Sequence, residues 1–127
     1  SACCSTESLS PAQSSVLATL ERSGPSRPGD LAAAEALNPT MLSRVIKHLE
    51  GAGLVQRDAD PADGRACLVS ATREGRTLVR RLRAHRRTLV GERLDELSPE
   101  HVRLLMDALP ALEALAGRSD RGAEDGR

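Results

Sequence analysis

The dipeptide Asn38-Pro39 constrains the fold more than any other feature of the sequence. Proline cannot continue a helix and disfavours helical geometry in the residue before it, so the short helix predicted from Pro28 must end near Leu37. Asparagine is a good N-cap and proline suits the first helical turn, so a new helix begins at once. Its apolar residues share one face at helical spacing: Leu42, Val45, Ile46 and Leu49. The sequence therefore predicts two short helices joined by a tight turn.

A β-hairpin is predicted directly after these helices. Two glycines end the second short helix, and the apolar spacing then changes from helical to alternating. The strand candidates are LVQR, residues 54–57, and ACLVS, residues 66–70. They flank a polar segment, residues 58–65, which contains the turn signal Asp63-Gly64. The expectation is a hairpin with a long tip.

Serine-proline pairs mark the starts of the first and last predicted helices. These pairs are Ser10-Pro11 and Ser98-Pro99. Between the hairpin and the second pair, a long helix is predicted from Thr72 to about Leu97. The predicted fold class is mainly α with a small β-hairpin wing (α+β), a winged helix-turn-helix with C-terminal dimerisation helices.

The predicted elements divide the chain into four parts. Residues 1–8 are expected to be a flexible N-terminal remnant, 9–72 the winged helix-turn-helix DNA-binding region, 73–117 the long helix and the C-terminal dimerisation helix, and 118–127 a disordered tail. A two-fold interface is expected from residues near Leu9 together with an apolar stripe on the last helix, which consists of Leu105, Leu109 and Leu112. No apolar run is long enough for a membrane span, and a cytoplasmic protein is expected.

The charges are distributed unevenly, although the chain carries 18 Lys and Arg and 18 Asp and Glu. Residues 43–93 hold 12 basic and 6 acidic side chains, and the segments on either side carry an acidic excess. A phosphate backbone responds to such local charge. Phe, Tyr and Trp are absent, so bases cannot stack on aromatic rings, and double-stranded DNA is the expected partner.

The second short helix is the expected recognition helix, because the second helix of a helix-turn-helix enters the major groove. If its apolar stripe faces inward, Thr40, Arg44 and Lys47 point outward, with Ser43 beside them. Arginine can pair with guanine, Ser and Thr can bond to bases or phosphates, and a helix N-terminus attracts phosphate. An ordinary solvated helix face is the alternative interpretation.

A second DNA contact is expected in the hairpin. Asp63, two residues before Arg65, can hold its guanidinium by charge-assisted hydrogen bonds and orient it toward a narrow minor groove. The alternative is an ordinary exposed ion pair. Among the arginines of the long helix, Arg73 and Arg76 are candidates for phosphate contact, whereas the others are expected to be solvated or to lie at a dimer contact.

The sequence resembles MarR-family regulators over roughly residues 9–115. The matching motifs are a recognition helix that ends in HLEGAGLV, a wing of the form D-x-x-D-x-R, and LVSATREG leading into the long helix. The resemblance implies a homodimeric regulator, expected to be a repressor, on a pseudo-palindromic operator, often released by a small anionic or phenolic effector or by oxidation. It also implies that Asp63 and Arg65 form the wing pair, and that the residues facing the major groove are Thr40, Ser43, Arg44 and Lys47.

The chain departs from the family pattern at three places. The family has a full helix before the segment that begins at Leu9, where this chain has eight residues, so the resemblance determines the fold better than the dimer geometry. The position before the second helix, usually a capping Ser or Thr, is Arg27, and Ser26 is expected to substitute as the cap and to lie near DNA. A glycine usual between the two short helices is replaced by Ala36, which is expected to alter the turn slightly.

Other functions have less support in the sequence. Cys3 and Cys4 suggest a thiol-based redox-sensing regulator, although no nearby cation favours a reactive thiolate, and Cys67 is expected to pack in a strand. The three histidines are widely separated, so no metal and no other cofactor is expected. No catalytic motif occurs, so an enzyme is not expected. A winged helix that docks another protein without binding DNA is the remaining alternative.

Overall fold

The computed structural model describes residues 9–117, which form five α-helices and a two-stranded antiparallel hairpin. The elements are α1 (Pro11–Ser23), α2 (Pro28–Glu35), α3 (Pro39–Gly51), β1 (Val55–Asp60), β2 (Asp63–Ala71), α4 (Arg73–Asp95) and α5 (Pro99–Leu115). This order confirms the predicted α+β fold class with a hairpin wing. The expectations for residues 1–8, including Cys3 and Cys4, and for residues 118–127 lie outside the described residues.

Side-chain caps explain where the helices begin. The hydroxyl of Ser10 accepts from the Gln13 backbone N–H at 3.2 Å, and Gln13 Oε1 accepts from the Ser10 N–H at 2.9 Å, which is a capping box. Asn38 and Ser98 cap α3 and α5 through the N–H groups three residues further on. The predicted starts of these helices are therefore confirmed. No helix within residues 9–117 is both long and apolar enough to cross a membrane.

Ala36 forms the tight turn between α2 and α3. Its backbone is left-handed, with φ 53° and ψ 41°. Its N–H donates to the carbonyl of Ala33 at 3.3 Å, and the Leu37 N–H donates to that of Ala32 at 3.0 Å. A left-handed alanine costs roughly 1–2 kcal/mol because its Cβ crowds the following carbonyl oxygen. Alanine in place of the family's usual glycine therefore keeps the turn but leaves its backbone strained.

The hairpin is longer, and its tip shorter, than the sequence predicts. β1 reaches Asp60 and β2 begins at Asp63, so Pro61 and Ala62 alone form the turn. The expected long tip is wrong. Asp60 closes the tight turn, because its Oδ1 accepts from the Ala62 N–H at 2.9 Å.

A bulge interrupts β2 just after the tip. Ala59 pairs with Cys67, and the next residue, Asp60, pairs with Asp63, so residues 64–66 lie outside the ladder. The dipeptide Asp63-Gly64 therefore begins the bulge and does not form the hairpin turn. Glycine and aspartate suit an irregular strand for the same backbone reasons that they suit a turn.

The cap of α4 joins three elements at one point. Thr72 Oγ1 accepts from the Gly75 N–H at 3.1 Å and donates to the Gly53 carbonyl at 2.7 Å. The Thr72 N–H donates to the Leu54 carbonyl at 3.0 Å, and the Leu54 N–H donates to the Leu49 carbonyl at 2.9 Å. These bonds hold the end of α3, the start of the hairpin and the start of α4 together.

Residues 9–117 fall into two compact units, with the boundary after His85 inside α4. The first unit has a hydrophobic core built by α1, α2, α3, the hairpin and the first part of α4. Its largest fully buried side chains are Leu17, Leu20, Leu31, Leu49, Val16 and Val69. The predicted inward stripe of α3 is also buried. The functional division between residues 72 and 73 stays a prediction.

The second unit contains the end of α4 and α5. None of its residues between 86 and 117 is buried. It exposes large apolar side chains from both helices and from the segment between them: Leu89, Val90, Leu94, Leu97, Leu104, Leu105, Met106, Leu109, Leu112 and Leu115. Because burial of apolar surface is the main force that stabilises folded units, the described part of this unit has no core of its own.

Candidate nucleic-acid interface

α3 presents a polar and basic face to solvent. The four residues predicted for the major groove are all exposed: Thr40, Ser43, Arg44 and Lys47. None of their side chains has a hydrogen bond or an ion pair to another residue between 9 and 117. The opposite face of the helix is packed in the core. Two cations and two hydroxyls are thus held on a well-anchored helix and remain available to a partner.

The N-terminus of α3 is partly occupied by its own cap. Asn38 accepts from the Met41 N–H with Oδ1 at 2.8 Å and from the Leu42 N–H with its carbonyl at 3.0 Å. Pro39 has no N–H. Within this first turn, the N–H of Thr40 is therefore the group that can bind an anion. The expected attraction for phosphate is concentrated there, beside the Thr40 hydroxyl.

Arg65 lies in the bulge of β2 and is exposed. Asp63 Oδ1 accepts from the backbone N–H of Arg65 at 3.1 Å. The guanidinium of Arg65 has no partner among residues 9–117, so the expected side-chain pair with Asp63 is wrong. The bulge takes the Arg65 N–H out of the ladder, and the Asp63 carboxylate satisfies it. Asp63 therefore stabilises the backbone that carries Arg65.

Ser26 does not cap α2, contrary to expectation. Its hydroxyl donates to the Gly24 carbonyl at 3.1 Å, and its N–H and carbonyl pair with Val69 at 2.9 and 2.8 Å. Arg27 occupies the cap position without a side-chain cap bond. Ser26 lies one residue before that position, and its hydroxyl bonds to the Gly24 carbonyl and not to an N–H of α2. Its role near DNA stays a prediction.

The arginines at the start of α4 differ in their availability. Arg73 is exposed and has no partner among residues 9–117. Arg76 donates through Nη1 to the Ala71 carbonyl at 2.8 Å, so it closes the junction between β2 and α4. Further along α4, two arginines form ion pairs with Glu21 of α1: Arg80 and Arg83. Arg73 is therefore the better candidate for a phosphate contact.

A small cavity lies beside α3. It has a volume of about 130 Å³ and is lined by Pro28, Gly29, Ala32, Pro39, Leu42, Ser43, Ile46 and Arg57. Arg57 also approaches Glu50 at 3.6 Å. The cavity is smaller than the roughly 300–1,000 Å³ of a drug-sized ligand site. No group of three His, Cys, Asp or Glu side chains within residues 9–117 is placed to hold a metal ion.

Comparisons with known proteins agree with this geometry. Residues 9–67 match the sequence model of the MarR family. An HTH-type transcriptional regulator of Mycobacterium tuberculosis is 37% identical over 111 residues, which are 87% of this chain and 78% of that protein. The chain belongs to the MarR family. The family and this relative are transcriptional regulators, so the chain is a regulator and not an enzyme.

Solved structures share the fold of this MarR-family chain. The crystal structure of RV1404 from Mycobacterium tuberculosis superposes with a TM-score of 0.81 at 30% identity, covering 91% of this chain and 78% of that one. The structure of FabT from Streptococcus pneumoniae in complex with DNA superposes with a TM-score of 0.72, covering 87% of this chain and 78% of that one. At 16% identity, the likeness to FabT shows the common fold alone.

Two residues of this MarR-family chain that sequence reasoning missed form a close side-chain contact. Arg27 donates through Nε and Nη2 to Oδ2 of Asp60, at 3.0 and 2.7 Å. Asp60 is only 7% exposed. The N–H of Ala62 and the Arg27 guanidinium hold the pKa of Asp60 below its ordinary value, and the hydrogen bond to Asp60 raises the pKa of Arg27. In the sequence, the departure from the family pattern at Arg27 singles out this position. The spacing of residues along the chain does not identify Asp60 as its partner.

Proposed function

We propose that this chain is a homodimeric repressor that binds a pseudo-palindromic operator in duplex DNA, with α3 in the major groove. The observation that carries the proposal is the outward face of α3. Its two cations and two hydroxyls are exposed and have no partner among residues 9–117, while the opposite face is buried. A binding face on a rigid, well-packed helix suits recognition of a partner outside the chain.

The side chains on this face have roles that follow from their chemistry. Arg44 lies near the centre of the outward face, and its planar guanidinium can pair with guanine O6 and N7. Lys47, about one turn further on, is a flexible point charge suited to phosphate. Thr40 offers a hydroxyl and a backbone N–H at the helix N-terminus, where phosphate is favoured. Ser43, at the edge of the face, can bond to a base or a phosphate.

The hairpin supplies the second contact of the proposed complex. Arg65, an exposed arginine on the bulge, would enter the minor groove beside the half-site, where a narrow groove attracts cations. Asp63 would support it by holding the bulge. Arg73 would reach the phosphate backbone from the start of α4. Ser26 can contribute only if its hydroxyl turns away from Gly24, since a phosphate needs a donor.

A homodimer would supply the core that the second unit lacks. A second copy could cover the exposed apolar side chains of α4 and α5, including the predicted stripe of Leu105, Leu109 and Leu112. Two-fold symmetry would place the two α3 helices on successive turns of the major groove, about 34–36 Å apart. FabT, which shares the fold, was solved in complex with DNA, and this supports DNA as the partner.

Control by a small anionic or phenolic effector belongs to the same proposal and rests on the family resemblance. The cavity beside α3 would offer Arg57 and Ser43 to an anionic group. A ligand there would lie against the helix that is proposed to bind DNA. A cytoplasmic location agrees with duplex DNA as the partner.

Selection of duplexes from a random pool by the full chain tests the proposal. We expect enrichment of an inverted repeat, bound about 10³-fold or more tightly than a scrambled duplex in fluorescence anisotropy. The Arg44→Ala/Lys47→Ala variant should lose this preference. Arg81→Ala/Arg103→Ala, which removes the same charge from exposed positions outside the proposed interface, should keep it. A folded wild-type chain that enriches no duplex would contradict the proposal and favour protein docking.

A further inference from the structure

The hairpin is tied to the segment before α2 at two points along its length. Near the base, Ser26 and Val69 exchange backbone hydrogen bonds at 2.9 and 2.8 Å. Near the tip, the next residue, Arg27, donates twice to Asp60 at 3.0 and 2.7 Å. A two-stranded hairpin is only marginally stable by itself. These ties therefore determine where its outer half lies.

Asp60 links this tie to the bulge. Its Oδ2 accepts from Arg27, and its Oδ1 accepts from the Ala62 N–H at 2.9 Å. It also pairs across the hairpin with Asp63, whose carboxylate accepts from the Arg65 N–H at 3.1 Å. A continuous series of contacts thus runs from Arg27 to the backbone of Arg65.

The burial of the two side chains is unequal. The side chain of Asp60 is 8% exposed, whereas that of Arg27 is 49% exposed. A carboxylate withdrawn from water is costly without a cation, so the tip is stable mainly where it meets Arg27. Lysine would provide charge without the two-donor geometry of the guanidinium. Lysine at this position is therefore expected to keep the charge of the contact but only part of its hydrogen bonding.

We propose that Arg27 and Asp60 are positioning residues for the wing. Their contact holds the bulge at one place relative to α3, so that Arg65 reaches the minor groove while α3 occupies the major groove. The inference rests on the proposed DNA binding. It adds that a residue outside both DNA-reading elements controls the preference for sequence flanking the half-site.

Amide hydrogen exchange in the absence of DNA tests the tie itself. Asp60→Asn keeps an oxygen for the Ala62 N–H but removes the charge that Arg27 binds, and Arg27→Ala removes the cation. We expect exchange of the Ala62 and Arg65 amides, whose N–H groups are hydrogen-bonded to Asp60 and Asp63, to accelerate about tenfold in both variants, with α3 unchanged. Arg81→Ala, an exposed arginine of α4, serves as the control. Exchange as slow as in the wild type would overturn the inference that the Arg27–Asp60 contact holds the tip of the hairpin.

A binding assay tests whether this contact controls the flank preference. It compares two duplexes that share the same half-sites, one with A·T-rich flanks and one with G·C-rich flanks. Arg27→Ala should reduce the flank preference about as much as Arg65→Ala, while discrimination within the half-site is kept. Arg27→Lys should restore only part of the preference. In the Arg65→Ala background, Arg27→Ala should have no further effect. An additive reduction would mean that Arg27 acts independently of Arg65, and would overturn the inference.

The two experiments separate the inference from the proposed function. If the wild type binds no duplex, the proposed function fails, whatever the exchange rates show. If it binds with a flank preference that Arg27→Ala leaves unchanged, the inference alone fails.

Discussion

A Cβ on Gly75 would lie 2.1 Å from the carbonyl oxygen of Leu54 and 3.1 Å from Cδ1 of Leu17. This glycine lets the first turn of α4 pack directly on the backbone between α3 and the hairpin. The oxygen is also held in place, because it accepts from the Thr72 N–H at 3.0 Å. Close approach of two backbone segments is therefore what requires glycine here.

Gly75→Ala should lower the free energy of unfolding by about 1–3 kcal/mol, since the added methyl group forces the backbone apart. Urea denaturation followed by circular dichroism measures the change. Gly51→Ala is the control, because a Cβ there meets nothing within 4 Å, and it should leave the stability unchanged or raise it by less than about 1 kcal/mol. A Gly75→Ala variant as stable as the wild type would contradict the packing described for this junction.

Ala36→Gly should stabilise the protein by about 0.5–1 kcal/mol, because glycine relieves the left-handed strain at φ 53°. The gain is smaller than the strain itself, since glycine loses more backbone entropy on folding than alanine does. Ala33→Gly, at an exposed position inside α2, should instead destabilise by about 1 kcal/mol. Thermal and urea unfolding measure the change in stability for both variants. Effects of the same sign would show that Ala36 is not strained.

Arg44→Ala and Arg65→Ala should weaken operator binding by about 1–3 kcal/mol each, with different effects on specificity. Arg44→Ala should relax the base preference inside the half-site, because its guanidinium is proposed to read base edges. Arg65→Ala should relax the preference for A·T-rich flanks. Anisotropy titrations against single-substitution duplexes distinguish the two patterns, and variants that bind like the wild type would exclude these residues from the interface.

Lys47→Ala should reduce the slope of log affinity against log salt by about 0.9 for each phosphate that the lysine neutralises, and by twice that in a dimer. The base preference should remain nearly intact, because an interaction with phosphate carries no sequence information. Titrations at several salt concentrations measure the slope, with Arg81→Ala as the control. An unchanged slope for Lys47→Ala would show that this lysine does not touch a phosphate.

Leu109→Glu should convert the proposed dimer into a monomer, because it places a charge in the apolar surface of α5 that a second copy would bury. Sedimentation velocity at micromolar concentration should show a dimer for the wild type and a monomer for the variant. Ala114→Glu adds the same charge at an exposed position on the opposite side of α5 from Leu105, Leu109 and Leu112, and should leave the dimer intact. A monomeric wild-type chain would refute the dimer.

The DNA-facing side of α3 was predictable because it depends on local information. Asn38 and Pro39 determine where the helix begins, and the spacing from Leu42 to Leu49 determines which side is buried. Once those are known, Arg44 and Lys47 must lie on the other side. The structure bears out this geometry, while contact with DNA stays a proposal.

The details of the wing could not be obtained in the same way. The residues of the segment from Asp58 to Arg65 predict an irregular backbone, but a turn and a bulge use the same residue types. Register decides between them, and register depends on pairing with the opposite strand. The long tip and the Asp63–Arg65 side-chain pair were wrong for this reason.

By itself the sequence determined the order of the helices, their starting residues and the outward face of α3, because caps and periodicity act over a few neighbouring residues. The tertiary structure alone decided that Arg27 meets Asp60, that Ser26 pairs with Val69, and that Gly75 packs on Leu54. These partners are distant in sequence, and only the packing of the core brings them within hydrogen-bond or van der Waals distance.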